Sequence, residues 1–146
     1  MKFVVARLDD FSRGERRIVR VGGREIGVFR TEAGEFYAIR NRCPHQGGPL
    51  CVGRVSPRIV SHKPGDYRLD EGSPLLVCPW HGWQYDMQTG QSYVNGDPQA
   101  RSYAISVEPG GAVAAELASG AMLVEGPYVA ETFRVSIEEE YVVLDA

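Results

Sequence analysis

Two short stretches of the chain each bring a cysteine and a histidine together among glycines and prolines. They read CPHQGGPLC over residues 43–51 and CPWHGWQYD over residues 78–86, so the donors follow a C-x-H and a C-x-x-H spacing. Gly47, Gly48 and Gly82 can adopt positive φ angles and let backbone N–H groups approach a bound group, while proline stiffens each turn. The pattern predicts two loops that together cradle a charged inorganic group.

Composition narrows the class of protein. The chain has 146 residues, about the length of one domain, and a formal net charge of −3, so it offers no basic stripe for nucleic acid. No apolar run is long enough to span a membrane, and the N-terminus MKFVVARLDD turns acidic before a signal-like segment develops. We therefore expect a cytoplasmic protein. Three cysteines are too few for a secreted disulfide framework.

Outside these loops the sequence is typical of an antiparallel all-β fold. Alternating or β-branched segments predict strands at 3–7, 17–21, 25–29, 36–39, 103–107, 133–137 and 141–144. Gly22 and Gly23 between the second and third segments predict a tight hairpin turn.

Two segments break this regular spacing. Residues 52–74 are rich in proline, glycine and charge, which predicts a long loop. Residues 109–130 are rich in alanine and glycine, and a short helix at 112–123 is disfavoured by Gly120. Neither segment marks a domain boundary, so we expect one domain over residues 1–146.

The paired motifs resemble those of Rieske-type proteins, close to the Rieske ferredoxins and the N-terminal Rieske domain of ring-hydroxylating oxygenases. The resemblance implies one [2Fe–2S] cluster, with Cys43 and Cys78 on an inner iron and His45 and His81 on an outer iron. It also implies a sandwich or partly open barrel with a cluster-binding subdomain at about residues 41–90. Since neutral imidazoles can lie at the surface, we expect electrons to leave through the histidines.

The same resemblance assigns supporting positions around the cluster to Gly48, Trp80, Gly82, Trp83 and Tyr85. Respiratory-complex Rieske proteins brace their loops with a disulfide at the positions of Gly48 and Trp80, so no bridge is expected here. They carry a serine hydroxyl near a cluster sulfide where this chain has Trp83, which predicts a low reduction potential. We expect Trp83 to shield the site and Trp80 to be more exposed.

The remaining donors limit the chemistry. Once His45 and His81 are used, His62 is the only histidine left, so the chain cannot build the two-histidine, one-carboxylate iron site that activates oxygen. No catalytic residues are therefore expected. Cys51 is expected to pack as a small apolar residue.

These observations predict an electron-transfer protein that receives single electrons from a flavin-dependent reductase and passes them to a terminal oxygenase or another metalloenzyme. Three alternatives stay open. The chain could be a permanent subunit resembling the small subunit of assimilatory nitrite reductases, a structural Cys₂His₂ zinc protein, or a redox-responsive regulator, for which the sequence offers no DNA-binding element. A homo-oligomer is compatible with each.

Overall fold

The computed structural model describes residues 1–92, 99–124 and 135–146, and this part of the chain is nearly all β-structure. Its elements are β1 (Lys2–Arg7), β2 (Arg16–Val21), β3 (Arg24–Arg30), β4 (Phe36–Arg40), β5 (Arg54–Lys63), β6 (Asp66–Val77), β7 (Gln84–Asp86), β8 (Ser102–Pro109), α1 (Gly110–Ala118), β9 (Met122–Leu123) and β10 (Glu140–Asp145). Short 3-10 helices occupy Leu8–Asp10 and Leu50–Val52. The predicted all-β class is confirmed. No helix in the described residues has the length and apolarity to cross a membrane.

The strands form a seven-stranded sheet in the order β2-β3-β4-β8-β10-β1-β9 and a three-stranded sheet in the order β5-β6-β7. β2 and β3 pair antiparallel up to Val21 and Arg24, and Gly22 and Gly23 in the turn have φ of 55° and 76°. This is the predicted hairpin. β1 pairs antiparallel with β10 and parallel with the two-residue β9.

β10 shows why this sheet needs cover on both faces. Val142 and Leu144 belong to one buried cluster, whereas Tyr141 and Val143 belong to another, which also contains Val113 of α1. Because successive side chains of a strand point to opposite faces, the apolar run of β10 predicts burial on both sides. The helix covers one of them.

The two predictions for the C-terminal third need correction. The helix spans Gly110–Ala118 and ends before Gly120, whose φ is 113°. Of the predicted strand at 133–137, residues 133–134 lie outside the described residues, and 135–139 form a turn. In this turn the Ser136 N–H donates to the Tyr141 hydroxyl at 2.6 Å, and the Glu139 carbonyl accepts from the first residue of the helix at 2.8 Å. These contacts compete with strand pairing.

The predicted loop at 52–74 is also wrong, because most of it lies in an antiparallel hairpin of β5 and β6, which turns at Gly65 with a φ of 82°. His62 lies within β5. Most described side chains in the part of this hairpin near Gly65 are exposed, so the sequence lacks an alternation of apolar and polar residues. The pairing register is also irregular between Ser56 and Arg58. The period that identifies a strand was therefore absent from the sequence.

By contacts the chain divides into two compact units, residues 1–38 with 103–146, and residues 39–102. Both cysteine–histidine motifs lie in the second unit, which contains the three-stranded sheet.

A charged triad lies in the first unit. The Lys2 ammonium donates to Glu108 Oε1 at 3.2 Å and to Glu116 Oε1 at 2.7 Å. The hydrogen bond from Lys2 lowers the pKa of Glu116, while the hydrogen bonds to Glu116 and Glu108 raise the pKa of Lys2. Lys2 therefore bridges two carboxylates and offsets the repulsion between their charges.

We expect Lys2→Met to lower the stability at about pH 7 and to lose this effect progressively below the ordinary carboxyl range, so that little of it remains at about pH 2. The lowered pKa of Glu116 means that its ionised form stabilises the fold above the ordinary carboxyl range and stops doing so as the pH falls. The thermal midpoints of the variant and the wild type at both pH values check this, with Lys63→Met, at the end of β5, as the control. An equal loss at both pH values would contradict the account.

Candidate metal centre

The two motifs fold into turns with the same backbone hydrogen bonds. In the first, the Cys43 N–H donates to Gly48 O at 2.8 Å and the Gly47 N–H donates to Cys43 O at 2.7 Å. In the second, the Cys78 N–H donates to Trp83 O at 2.8 Å, and a glycine N–H four residues after the cysteine again donates to the cysteine carbonyl, at 2.9 Å. Each turn thus encloses one histidine.

Only two of the three loop glycines adopt the predicted backbone conformation. Gly47 and Gly82 have φ of 81° and 74°, a region that residues with a Cβ rarely adopt. Gly48 does not have a positive φ. A Cβ there would instead lie 2.7 Å from the indole of Trp80. Gly48 is therefore required for its small size rather than for its backbone conformation.

The four predicted donors come together as two pairs. Cys43 and Cys78 are each 2% exposed, and the two thiols are close enough for Cys43 to raise the pKa of Cys78. The imidazole centroids of His45 and His81 are 4.9 Å apart with ring planes at 87°. His81 is exposed and His45 is half-buried. The thiols are thus buried, while the histidine pair reaches the surface.

The chemistry of the thiol pair and of the imidazole pair shows whether a metal group fits between the two loops. His45 Nδ1 is buried, and none of the described residues gives it a hydrogen-bond partner, an arrangement that is costly unless a ligand satisfies the atom. Burial raises the pKa of the Cys78 thiol, and its interaction with the Cys43 thiol raises it further, so a metal must displace its proton. Soft sulfur and imidazole donors suit iron. The residues present fit a group that takes two donors on each side.

A structural zinc site would need four ligands around one point. The donors of this chain lie instead as a buried thiol pair and an imidazole pair that reaches the surface, as a two-iron group with two donors on each iron requires. Among the residues that the structure describes, no three histidine, cysteine, aspartate or glutamate side chains are arranged to hold one metal ion.

Three aromatic side chains lie against these donors or their loops. Trp83 stacks on His45 with ring centroids 4.0 Å apart and planes at 15°, as expected of a shielding residue, while Trp80 is 57% exposed. The Tyr85 hydroxyl lies 3.2 Å from Cys43 Sγ. Burial, together with the hydrogen bond to Cys43, raises the pKa of Tyr85, so its hydroxyl stays protonated as a donor.

We expect Tyr85→Phe to lower the reduction potential of the loaded protein by roughly 40 mV, the equivalent of about 1 kcal/mol for one electron. Hydrogen bonds to cluster sulfurs raise the potential, and this substitution removes one such donor from the ligand sulfur while keeping the ring. Protein-film voltammetry measures the shift. Tyr67→Phe, at an exposed position in β6, is the matched control. An unchanged potential in Tyr85→Phe would refute the hydrogen bond.

The third cysteine packs as predicted. Cys51 is fully buried, and its thiol donates to the Ile39 carbonyl at 3.3 Å. All three cysteines are free.

The sequence analysis missed one buried residue that organises this unit. Asp86 accepts hydrogen bonds from the Ser73 hydroxyl at 2.7 Å, from the Gln88 and Thr89 N–H groups at 2.8 and 2.9 Å, and from Arg58 in an ion pair. Burial acts to raise the pKa of Asp86, but these hydrogen bonds and the Arg58 charge hold it below its usual range.

A partial signal for Asp86 was present in the sequence. An aspartate that starts the stretch DMQTG is typical of a turn in which the side chain caps backbone N–H groups two and three residues later. Its partner Arg58 lies in the hairpin that was predicted as a loop, so the ion pair could not be foreseen. Asp86 and Tyr85 are neighbours in β7. The contacts of Asp86 therefore hold in place the strand from which the Tyr85 hydroxyl reaches Cys43.

The β fold and a donor set of two thiols and two imidazoles define a metal-binding class of β protein. The Rieske [2Fe-2S] domain family matches residues 1–107, which is most of the chain. The chain belongs to this family, and its cofactor is a Rieske-type [2Fe–2S] cluster. The predicted family and cofactor are confirmed. The assignment of individual ligands stays a prediction.

Known proteins similar to this chain include ferredoxin components. A human Rieske domain-containing protein is 36% identical over 101 residues, covering 66% of this chain and 56% of the relative, so the chain spans little more than half of its length. The ferredoxin component of the alkene monooxygenase system of Xanthobacter autotrophicus is 28% identical over 106 residues, covering 73% and 74%. The solved ferredoxin of carbazole 1,9a-dioxygenase from Nocardioides aromaticivorans IC177 is 25% identical with a TM-score of 0.52, covering 73% and 88%.

Proposed function

We propose that this chain is a one-electron carrier of an oxygenase system, with Cys43 and Cys78 on the inner iron of the cluster and His45 and His81 on the outer iron. The observation that carries this proposal is the difference in burial between the donor pairs. The thiols are 2% exposed, whereas His81 is exposed. A cluster held in this way has one edge near solvent, where a partner can approach it.

The side chains around the donors indicate by which histidine an electron would leave the cluster. When bound, a Rieske cluster accepts and releases one electron at a time. Trp83 covers one face of His45, whereas His81 is open to solvent. The shortest route to a partner protein therefore runs through His81, and the buried thiols hold the opposite side away from water.

The partners are a flavin-dependent reductase as donor and a terminal oxygenase or another metalloenzyme as acceptor. Two similar proteins support the proposal of an oxygenase as acceptor, since their names describe ferredoxins of oxygenase systems. Oxygen activation belongs to the acceptor, because His62 is the only histidine of this chain outside the proposed ligand set and a two-histidine iron site needs two. We also propose that residues 1–146 form one Rieske domain with its cluster-binding subdomain at about 41–90.

The cluster has a low potential, in the range of roughly −150 to 0 mV. The resemblance to respiratory-complex Rieske proteins implies that Trp83 stands where those proteins carry a serine near a cluster sulfide, and its indole stacks on His45. One donor that would raise the potential is therefore missing. A midpoint above about +150 mV would place the protein in another class.

An anaerobic titration tests the carrier role. The reduced protein, freed of reductant, is mixed with oxidised cytochrome c, a general one-electron acceptor. We expect one cytochrome reduced for each cluster. Failure to reduce cytochrome c, or transfer of two electrons for each cluster, would overturn the proposal.

The permanent-subunit alternative predicts a different result. A subunit would remain bound to a large partner through size-exclusion chromatography after co-expression with its neighbouring genes. A carrier would elute alone.

A further inference from the structure

Trp80 makes an unusual contact for a surface tryptophan. Its indole is 57% exposed, yet it lies across the buried Gly48 of the other donor loop. A Cβ built on Gly48 would lie 2.7 Å from Cδ2 and 2.9 Å from Cγ of the indole. Carbon atoms pack at about 3.5–4.0 Å. Because Cγ is the root of the ring, the side chain cannot avoid this clash by moving its far end.

Both partners of this contact belong to the backbone turns that present the donors. The Gly48 carbonyl closes the first turn by accepting the Cys43 N–H at 2.8 Å. Trp80 lies between Cys78 and His81 in the second turn. A shift of the indole against Gly48 therefore moves one turn relative to the other.

Besides the contacts between the four donors themselves, the side chains of Tyr85 and Trp83 also join these loops. The Tyr85 hydroxyl lies 3.2 Å from Cys43 Sγ, and the Trp83 ring stacks on His45 at 4.0 Å. Each of these uses a proposed ligand side chain. The contact between Trp80 and Gly48 uses none, so it can be altered while the donor set is kept.

We propose that Trp80 and Gly48 are a size-matched pair in which Trp80 acts as a positioning residue, holding the two donor loops at the spacing that the cluster requires. The inference rests on the proposed ligation of the cluster by both loops. Positions 48 and 80 hold no cysteine, so a disulfide cannot join the two loops there. The indole occupies the space that a side chain at position 48 would need, which makes glycine necessary there only while tryptophan is present.

A double-mutant cycle on the loaded protein tests this dependence. Gly48→Ala, Trp80→Ala and the double variant are compared with the wild type by the rate at which visible absorption is lost in the presence of an iron chelator. We expect Gly48→Ala alone to accelerate cluster loss about tenfold, and to change the rate less than about twofold in the Trp80→Ala background, as for residues in direct contact. Trp80→Phe should retain most of the wild-type lifetime.

A spectroscopic readout separates positioning from general stability. The g values of the reduced cluster should shift in Gly48→Ala and Trp80→Ala, because ligand geometry changes. Gly111→Ala is the matched control, since a Cβ there meets no atom within 4 Å. It should leave the lifetime and the spectrum unchanged.

Three results would overturn the inference. Gly48→Ala could be equally harmful with and without Trp80, or Trp80→Ala could leave both the cluster lifetime and the g values unchanged while slowing only transfer to a protein acceptor. A wild-type protein without a mixed-ligand spectrum would overturn the proposed function as well. With that spectrum present, additive effects reject the positioning role alone. If the Trp80→Ala protein does not fold, Trp80→Ser, which also lacks the ring, completes the cycle with and without Gly48→Ala.

Discussion

Replacement of Cys78 by serine is expected to reduce bound iron and visible absorption by more than about tenfold, because a hard, protonated hydroxyl replaces a soft thiolate. Cys78 is buried beside Cys43, and no other cysteine is available to replace it, since Cys51 is held by its own contact with Ile39. Iron analysis and the absorption spectrum of the purified protein measure the effect.

Cys51→Ser provides a control that uses the same change of atom. Its hydroxyl can still donate to the Ile39 carbonyl, so this variant should retain the full iron content. The proposed ligand set fails if Cys51→Ser loses the cluster while Cys78→Ser keeps it.

The second large effect is expected at Asp86. Asp86→Ala should destabilise the protein by about 3 kcal/mol, since it leaves Arg58 without its carboxylate and removes the acceptor of two backbone N–H groups. This cost corresponds to a fall of roughly 10 °C in the thermal midpoint. Calorimetry of the loaded protein measures it.

Asp66→Ala is the matched control, because Asp66 pairs with the exposed Arg68 in the same unit. Such surface pairs contribute less than about 1 kcal/mol. Equal losses in the two variants would show that the hydrogen bonds of Asp86 do not organise the unit.

Acidification should remove the stabilisation by Asp86. Its pKa is lowered in the folded protein, so the ionised carboxylate stabilises the fold above the ordinary carboxyl range and ceases to do so as the pH falls through the lowered value. The difference in midpoint between the wild type and Asp86→Asn should therefore narrow towards low pH. A constant difference would contradict this linkage.

The strands with a clear pattern of apolar residues could be predicted from the sequence. β2 and β3 carry β-branched residues on either side of the Gly22-Gly23 turn within one short stretch, and β10 contains the apolar run 141–144. Such signals are local, so no tertiary information is needed to interpret them. The hairpin of β5 and β6 lacks them because its outer part is exposed.

The candidate site could be predicted only in part. The spacing of the two motifs and their resemblance to Rieske proteins predicted Cys43, His45, Cys78 and His81 as donors, and the structure places the two histidines side by side and buries both cysteines. The contact of Trp80 with the other loop, and the ion pair of Asp86 with an arginine 28 residues earlier, depend on how distant segments pack. Sequence spacing carries no information on such contacts.

Electron paramagnetic resonance of the dithionite-reduced protein tests the central claim most directly, because one spectrum reports the metal, the nuclearity and the ligands. The account predicts a spin-one-half signal with an average g below that of all-cysteine [2Fe–2S] clusters and with coupling to two histidine nitrogens. A colourless, silent protein that contains one zinc per chain, or a spectrum of the all-cysteine type, would contradict it.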